Sequence, residues 1–267
     1  MTSTLPIRVI LAPNPSPLTG KGTNTYVVGE ETVVVIDPGP ADEGHMDRVE
    51  VAARERGGAV AVVLTHHHLD HTQAAAEMAR RLDTPLAAFP HPESPALTRE
   101  LADGDEVAFT GGVLRAIHTP GHARDHLCLW WPEAGTIFTG DLVAGEGYIV
   151  IDPPDGDMSD YLDSLRRVRE LGARSLLPGH GPAIATPASY IDAYIAHRLE
   201  REAKVLAALG HEPRTVAQLL PEVYDDTPGA MLPIATRSLV AHLEKLAGEG
   251  RIEVLDTPAG RGYRLTG

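Results

Sequence analysis

Four candidate metal ligands, His66, His68, Asp70 and His71, fall within six residues in Thr65-His66-His67-His68-Leu69-Asp70-His71. In an extended segment, residues two apart point the same way, so His66 and His68 can grip one ion. Asp70 and His71, where the chain turns toward the next helix, can face a second ion beside it. His122, Asp141 and His180 complete the set, in Thr119-Pro120-Gly121-His122, Thr139-Gly140-Asp141 and Pro178-Gly179-His180-Gly181. The count suits two metals. His66, His68 and His122 give one ion three neutral imidazoles, Asp70, His71 and His180 hold the other, and Asp141 bridges both. With one shared hydroxide, two dications and two carboxylates sum to about +1, which keeps the site electrophilic. Imidazole-rich ligation favours two zinc ions and also accepts manganese or iron. The chemistry expected is attack of the hydroxide on a phosphorus or carbonyl centre, with Asp70 orienting it and Asp141 holding the pair.

Such a site needs elements that deliver four separate segments to one place. Residues 59–65 (AVAVVLT) form an apolar run of strand length, as expected in a sheet covered on both faces. His122, Asp141 and His180 likewise follow strands expected to end near His118, at 136–139 and at 174–177. Ligands in open α/β sheets gather at the carboxyl ends of strands, so these segments converge. Strand signals at 26–28, 32–36, 85–89, 105–118 and 127–131 alternate with helices over 43–56, 73–82 and 159–171. The last carries Leu162, Leu165, Val168 and Leu171 on one stripe. The pattern is that of a layered α/β domain over residues 1–195.

From about residue 188 the texture changes, and a second domain is expected over residues 196–267. A long helix over 188–209 leads into helices at 215–224 and 236–247, then strands at 251–255 and 262–265. Helix, helix and two-stranded ribbon is the order of a winged-helix module. Residues 199–267 carry 8 basic and 10 acidic side chains, and the helix over 236–247 offers only Arg237 and Lys245 as cations. Duplex DNA needs several phosphate contacts, so a metal-sensing DNA-binding regulator is the distant reading. The tail is expected to wall the cleft or to form a homodimer interface.

Composition sets the compartment. The formal net charge is −14, from 23 basic and 37 acidic residues, which argues against broad nucleic-acid binding through a basic surface. No apolar run approaches the ~20 residues that span a bilayer, and no charged leader precedes an apolar stretch, so no membrane is expected and the location expected is cytoplasmic. The single cysteine, Cys128, agrees with a reducing compartment and is expected as a small buried hydrophobe.

The His-x-His-x-Asp-His pattern with later His, Asp and His ligands resembles the metallo-β-lactamase superfamily. The resemblance implies a four-layer αββα sandwich. Gly22-Thr23-Asn24-Thr25-Tyr26, Asp125-His126, Gly145-Glu146-Gly147 and Tyr194-Ile195-Ala196-His197-Arg198 look like the beta-lactamase-like protein 2 branch. That branch implies an endoribonuclease acting on single-stranded RNA, with Asn24, Glu146, Tyr161, His197 and Arg198 as substrate contacts. The sequence departs from it at His67, where the branch often carries an aromatic, and at Thr72-Gln73-Ala74, which lacks a Gly-Gly pair. The alternative is a small ester or thioester, as in glyoxalase II, which shares the metal motif. Its basic glutathione-binding residues are not evident here, and the acidic balance favours such a substrate over RNA.

The remaining histidines are expected in lesser roles. His67 alternates away from the metals and is expected to wall the pocket. His118 and His126 flank His122 as supports. His45, His91, His211 and His242 are expected on the surface, and Trp130 and Trp131 in the core.

Overall fold

The computed structural model describes residues 6–266. The chain runs β1 (Ile7–Leu11), β2 (Asn24–Val28), β3 (Val33–Ile36), α1 (Glu43–Arg54), β4 (Ala59–Val63), α2 (Leu69–Thr72), α3 (Ala75–Leu82), β5 (Leu86–Ala88) and β6 (Arg99–Glu100). These six strands form one sheet in sequence order, antiparallel over β1–β3 and parallel from β3 to β6. A second sheet follows from β7 (Glu106–Phe109), β8 (Gly112–His118), β9 (Leu127–Trp131), β10 (Thr136–Gly140), α4 (Met158–Glu170) and β11 (Ser175–Pro178), in the order β11-β10-β9-β8-β7.

Period-two alternation sorts the side chains into layers. Val34, Ile36, Ala61 and Val63 face the second sheet and meet Val107, Leu114, Leu129 and Phe138. Their neighbours Val33, Val35, Val62 and Leu64 face the other way, onto Met46, Val49 and Ala52 of α1 and Met78 of α3. On the far face of the second sheet, Ile117, Cys128 and Ile137 pack against Leu162, Leu165 and Val168 of α4. Helix, sheet, sheet, helix is the four-layer sandwich expected. Cys128 is fully buried in it.

The tail begins with α5 (Pro187–Ala208) and continues through β12 (Arg214–Thr215), α6 (Val216–Val223), α7 (Leu232–Gly248), β13 (Ile252–Thr257) and β14 (Gly260–Leu265). β12 adds a third strand to the expected ribbon, in the order β12-β14-β13. The boundary expected at 195/196 falls inside α5, which is continuous because one buried stripe serves two cores. Ile191 and Tyr194 pack with α4, while Val205 and Ala208 pack with Leu219, Leu239 and Leu243. Among the described residues, no helix is long and apolar enough to cross a membrane.

Candidate metal centre

Asp37 sets the frame. It ends β3 with a positive φ of 48°, and its carboxylate reaches across to the turn after β4. Oδ1 accepts from the Thr65 backbone N–H at 2.8 Å, and Oδ2 accepts from the Thr65 hydroxyl at 2.8 Å and from His71 Nδ1 at 2.9 Å. The Thr65 hydroxyl has one hydrogen, and it goes to Asp37. Its oxygen therefore accepts from His66 Nδ1, 3.0 Å away, which leaves the His66 Nε2 lone pair free.

The same logic fixes the other rings. His122 Nδ1 donates to the Val150 carbonyl at 2.8 Å and His180 Nδ1 to the Gly22 carbonyl at 3.3 Å. Each ring thereby turns its Nε2 inward. His66 Nε2 and His122 Nε2 each lie 3.0 Å from His68 Nδ1. His180 Nε2 lies 3.1 Å from Asp70 Oδ2, and His71 Nε2 lies 3.4 Å from the same oxygen.

Asp141 stands between the two groups. Its Oδ1 is 3.6 Å from His71 Nε2 and 3.4 Å from His180 Nε2, and its Oδ2 is 3.6 Å from His122 Nε2. His126 holds it there by accepting from the Asp141 backbone N–H at 3.0 Å, while its own Nδ1 donates to Thr119 Oγ1 at 2.8 Å. Gly179 must be glycine for this approach, because a Cβ would sit 2.7 Å from Asp141 Oδ1 and 2.8 Å from a carbon of the His71 ring.

The donor set fits two divalent ions. His66, His68 and His122 bring three ligand atoms within 4.8 Å of one another, as do Asp70, His71 and His180, and His66, His71 and Asp141. His71 Nε2 and Asp141 Oδ1 are buried without a hydrogen-bond partner, a costly state that a bound cation relieves. Burial and the neighbouring imidazoles hold His66 below its usual pKa and push His68 down to about 3, so both stay neutral as ligands. Burial also works against charge on His71 and His180, but the adjacent carboxylates outweigh it, raising His71 and lifting His180 to about 10. Burial likewise disfavours charge on Asp70 and Asp141, yet the neighbouring histidines win and both pKa values fall.

A linkage follows for the metal-free protein. The His180 contribution to stability is complete below pH 6.5 and is lost as pH rises through about 10. Metal binding at these nitrogens must displace their protons. Zinc added to stripped protein at pH 7 is expected to release roughly two protons, from His71 and His180. Calorimetry in two buffers of different ionisation enthalpy measures this, and zero release contradicts the assignment.

All seven side chains expected as ligands thus meet at one place. Of the residues expected as substrate contacts, Asn24 and Glu146 line the cleft beside them, which has a volume of about 1280 Å³. Asn24 also fastens the His180 loop, donating through Nδ2 to the carbonyls of Pro178 at 3.0 Å and Gly181 at 2.8 Å. Tyr161, His197 and Arg198 stand behind the cleft wall rather than in it. Tyr161 is fully buried and donates to the Leu142 carbonyl, and Arg198 is buried and donates to the Ile149 carbonyl. His197 stacks on Tyr148 with ring centres 3.5 Å apart. These three brace the loop over 142–149 against α4 and α5. Tyr161→Phe is accordingly expected to cost about 1 kcal/mol of stability and to leave KM unchanged. Chemical denaturation beside steady-state kinetics checks this, and a raised KM at unchanged stability contradicts it.

Three histidines expected on the surface are not there. His45 is fully buried with Nε2 at 2.9 Å from Thr25 Oγ1, and His242 is fully buried in the tail. His91 lies at the cleft, stacked on His67 with ring centres 4.0 Å apart. His67 lines the cleft too, as expected of a wall residue, and is anchored by Asp125 at 2.9 Å. Sequence reasoning misses Asp37, Asp125 and Asp155. Asp37 obeys the same rule as the ligands, an acidic residue at the carboxyl end of a strand. The tail reaches the cleft through Met231, Ile234 and Arg237, which agrees with a walling role.

Comparison with known proteins agrees with this geometry. Residues 18–180 match the family model of the metallo-beta-lactamase superfamily, and 215–261 match the beta-lactamase associated winged helix domain. A beta-lactamase-like protein 2 homolog of Caenorhabditis elegans is 34% identical over 91% of this chain and 85% of its own length. An atrochrysone carboxyl ACP thioesterase of Aspergillus chevalieri is 31% identical over 91% of this chain and 81% of its own. A metallo-beta-lactamase family protein of Thermus thermophilus has the same fold, with a TM-score of 0.81 at 22% identity over 98% of this chain and 99% of that one. The chain belongs to the metallo-beta-lactamase superfamily and is a metal-dependent hydrolase with the associated winged helix.

Proposed function

We propose that this protein hydrolyses an acyl thioester or small ester at a two-zinc centre, with the apolar acyl group lying along the cleft rim. The observation that carries this is the distribution of exposed apolar side chains. Seven large hydrophobic side chains are exposed among the described residues, and four of them, Leu11, Leu18, Leu69 and Tyr148, line this cleft. Met231 and Ile234 of the tail extend the apolar surface. An exposed apolar patch at a concave site marks a ligand with apolar area to bury.

Charge points the same way. Glu93, Glu146, Asp152 and Asp155 border the cleft, and Arg237 is paired with Asp152 at 2.9 Å. Lys21 and Arg124 are the remaining rim cations. A polyanionic strand favours a positively charged groove, so this rim suits RNA poorly. Single-stranded RNA is the second reading, supported by the likeness to beta-lactamase-like protein 2 homologs and by Lys21 and Arg124. The acidic, apolar rim reverses the order in which the sequence alone ranks the two substrates.

In this reading His66, His68 and His122 hold one zinc ion, Asp70, His71 and His180 hold the other, and Asp141 lies between them. When bound, the ions polarise the scissile oxygen and bring the pKa of water from 15.7 to ~7. Asp70 has the more exposed of the two central carboxylates and is the one able to orient the attacking water. His126 and Asn24 act at a distance, fixing Asp141 and the His180 loop. The α7 side chains close the cleft over the acyl group.

The test is a series of thioesters of increasing acyl length. Each added methylene contributes up to ~0.8 kcal/mol when buried, so kcat/KM is expected to rise by as much as about fourfold per methylene. Leu69→Asp is expected to flatten that rise. A kcat/KM independent of acyl length in the native protein contradicts the assignment of the rim.

A further inference from the structure

Four consecutive residues between β10 and α4 are each held by a different side chain. The Ile149 carbonyl accepts from Arg198 of α5, and the Val150 carbonyl accepts from His122 Nδ1 at 2.8 Å. The Ile151 backbone N–H donates to Ser238 Oγ of α7 at 3.4 Å, and the Asp152 carboxylate pairs with Arg237 of α7 at 2.9 Å. Three of the four grips come from the tail, and the fourth is the ring of a residue in the metal centre.

The two middle contacts share one peptide group. The Val150 carbonyl and the Ile151 N–H belong to the same rigid, planar unit, and in a trans peptide they point in opposite directions. The plate therefore lies between His122 on one side and Ser238 on the other. If it turns, the carbonyl swings off the His122 N–H and the ring loses the contact that aims its Nε2 at the site. Ile151 is fully buried and Ser238 is 5% exposed, so water cannot readily take the place of the hydroxyl. Apolar packing holds the two partners in register, because Ile149 and Ile151 share a cluster with Ala241, three residues on from Ser238 along α7.

We propose that Ser238 is a positioning residue for the metal ligand His122, acting through the Val150–Ile151 peptide, so that the winged-helix tail is part of the metal centre. Arg198 and Arg237 steady the residues on either side. The other rings lean on groups of the catalytic domain: His66 on the Thr65 hydroxyl, His71 on Asp37 and His180 on the Gly22 carbonyl. A fault at Ser238 therefore reaches the ion at His66, His68 and His122 and spares the ion at Asp70, His71 and His180. The inference rests on the assignment of those two triads to two ions, and it is independent of the substrate.

The experiment strips the full-length protein with a chelator and titrates zinc against a chromophoric competitor, which gives an affinity for each ion. The native protein is expected to hold two ions tightly. Ser238→Ala is expected to weaken one of them by roughly tenfold, the lower end of the effect of losing a group that orients a ligand, and to leave the other unchanged. His122→Ala is expected to retain only the ion at Asp70, His71 and His180, and adding Ser238→Ala to it is expected to change that affinity no further. Leu243→Ala, buried in the tail core away from this segment, is the control for a merely structural role. It is expected to lower stability and to leave both affinities as they are. Arg237→Ala removes an exposed contact, serves should Ser238→Ala fail to fold, and is expected to weaken the same ion by less. Two native ions with neither weakened in Ser238→Ala or Arg237→Ala overturn the proposal alone. Equal weakening of both ions, or a further loss in the His122→Ala background, also overturns it. Fewer than two ions in the native protein overturn the metal assignment and the proposal with it.

Discussion

Asp141→Ala is expected to abolish measurable turnover, a loss of at least about a thousandfold or roughly 4 kcal/mol in the barrier, and to empty at least one of the paired metal positions. The size of the effect follows from where the carboxylate stands. One oxygen faces His71 and His180 and the other faces His122, so a single side chain serves both triads. Removing it also takes away a counter-charge that raises the pKa of His71 and His180. Proton release on zinc binding at pH 7 is therefore expected to shrink together with turnover. A variant that keeps both paired ions at full activity contradicts the bridging role, whatever the substrate proves to be.

Asp37→Ala is expected to have the second largest effect, though Asp37 touches neither ion nor substrate. Three donors lose one acceptor: the Thr65 backbone N–H, the Thr65 hydroxyl and His71 Nδ1. At about 1 kcal/mol for each net hydrogen bond, the stripped protein is expected to lose roughly 3 kcal/mol of stability. Zinc affinity is expected to fall by roughly 10- to 100-fold, because His71 loses the carboxylate that orients it. Asp37→Asn is the informative partner variant. Asparagine tolerates the positive φ at this position and keeps one side-chain acceptor, so its loss is expected to be smaller. Denaturant titration of stripped protein and competition with a chromophoric chelator read the two losses separately. Unchanged zinc affinity in Asp37→Ala contradicts the orienting role.

The two variants act at places of very different legibility. The run over 66–71 and the three later ligands are readable because strand periodicity puts each just past the end of a strand. Convergence then follows from the topology of an open sheet. The strands over 127–131 and 136–139 and helix α4 are equally plain, the strands being short runs beside a turn and the helix a stripe at 3.6-residue spacing. Asp37 reads in the sequence only as the end of a hairpin, since its task depends on a contact 28 residues away.

Tyr161, Arg198 and His242 teach the opposite lesson, that position on a helix outranks polarity. Tyr161 is spaced four and seven residues from Leu165 and Val168, on the stripe that α4 buries. Arg198 lies on the buried stripe of α5 with Ile191, Tyr194 and Val205, and its charge is tolerated there because the Ile149 carbonyl accepts from it. His242 falls between Leu239 and Leu243 on the inner face of α7. In each case helical spacing places the side chain correctly where residue type, or likeness to a family, points to solvent or substrate. The His67 and His91 pair escapes for another reason. The two residues are 24 apart in sequence and come from different loops, so only the folded chain stacks them.

The most direct test sets the two substrates side by side. Zinc-loaded native protein and Asp141→Ala would each be given a medium-chain acyl thioester, followed by free-thiol release, and end-labelled single-stranded RNA, followed on a gel. Rapid thiol release by the native protein alone, with the RNA left intact, is the result predicted from the apolar, acidic cleft. RNA cleavage that Asp141→Ala abolishes, with no release of thiol, would contradict the acyl assignment and make Lys21 and Arg124 the start of an RNA path.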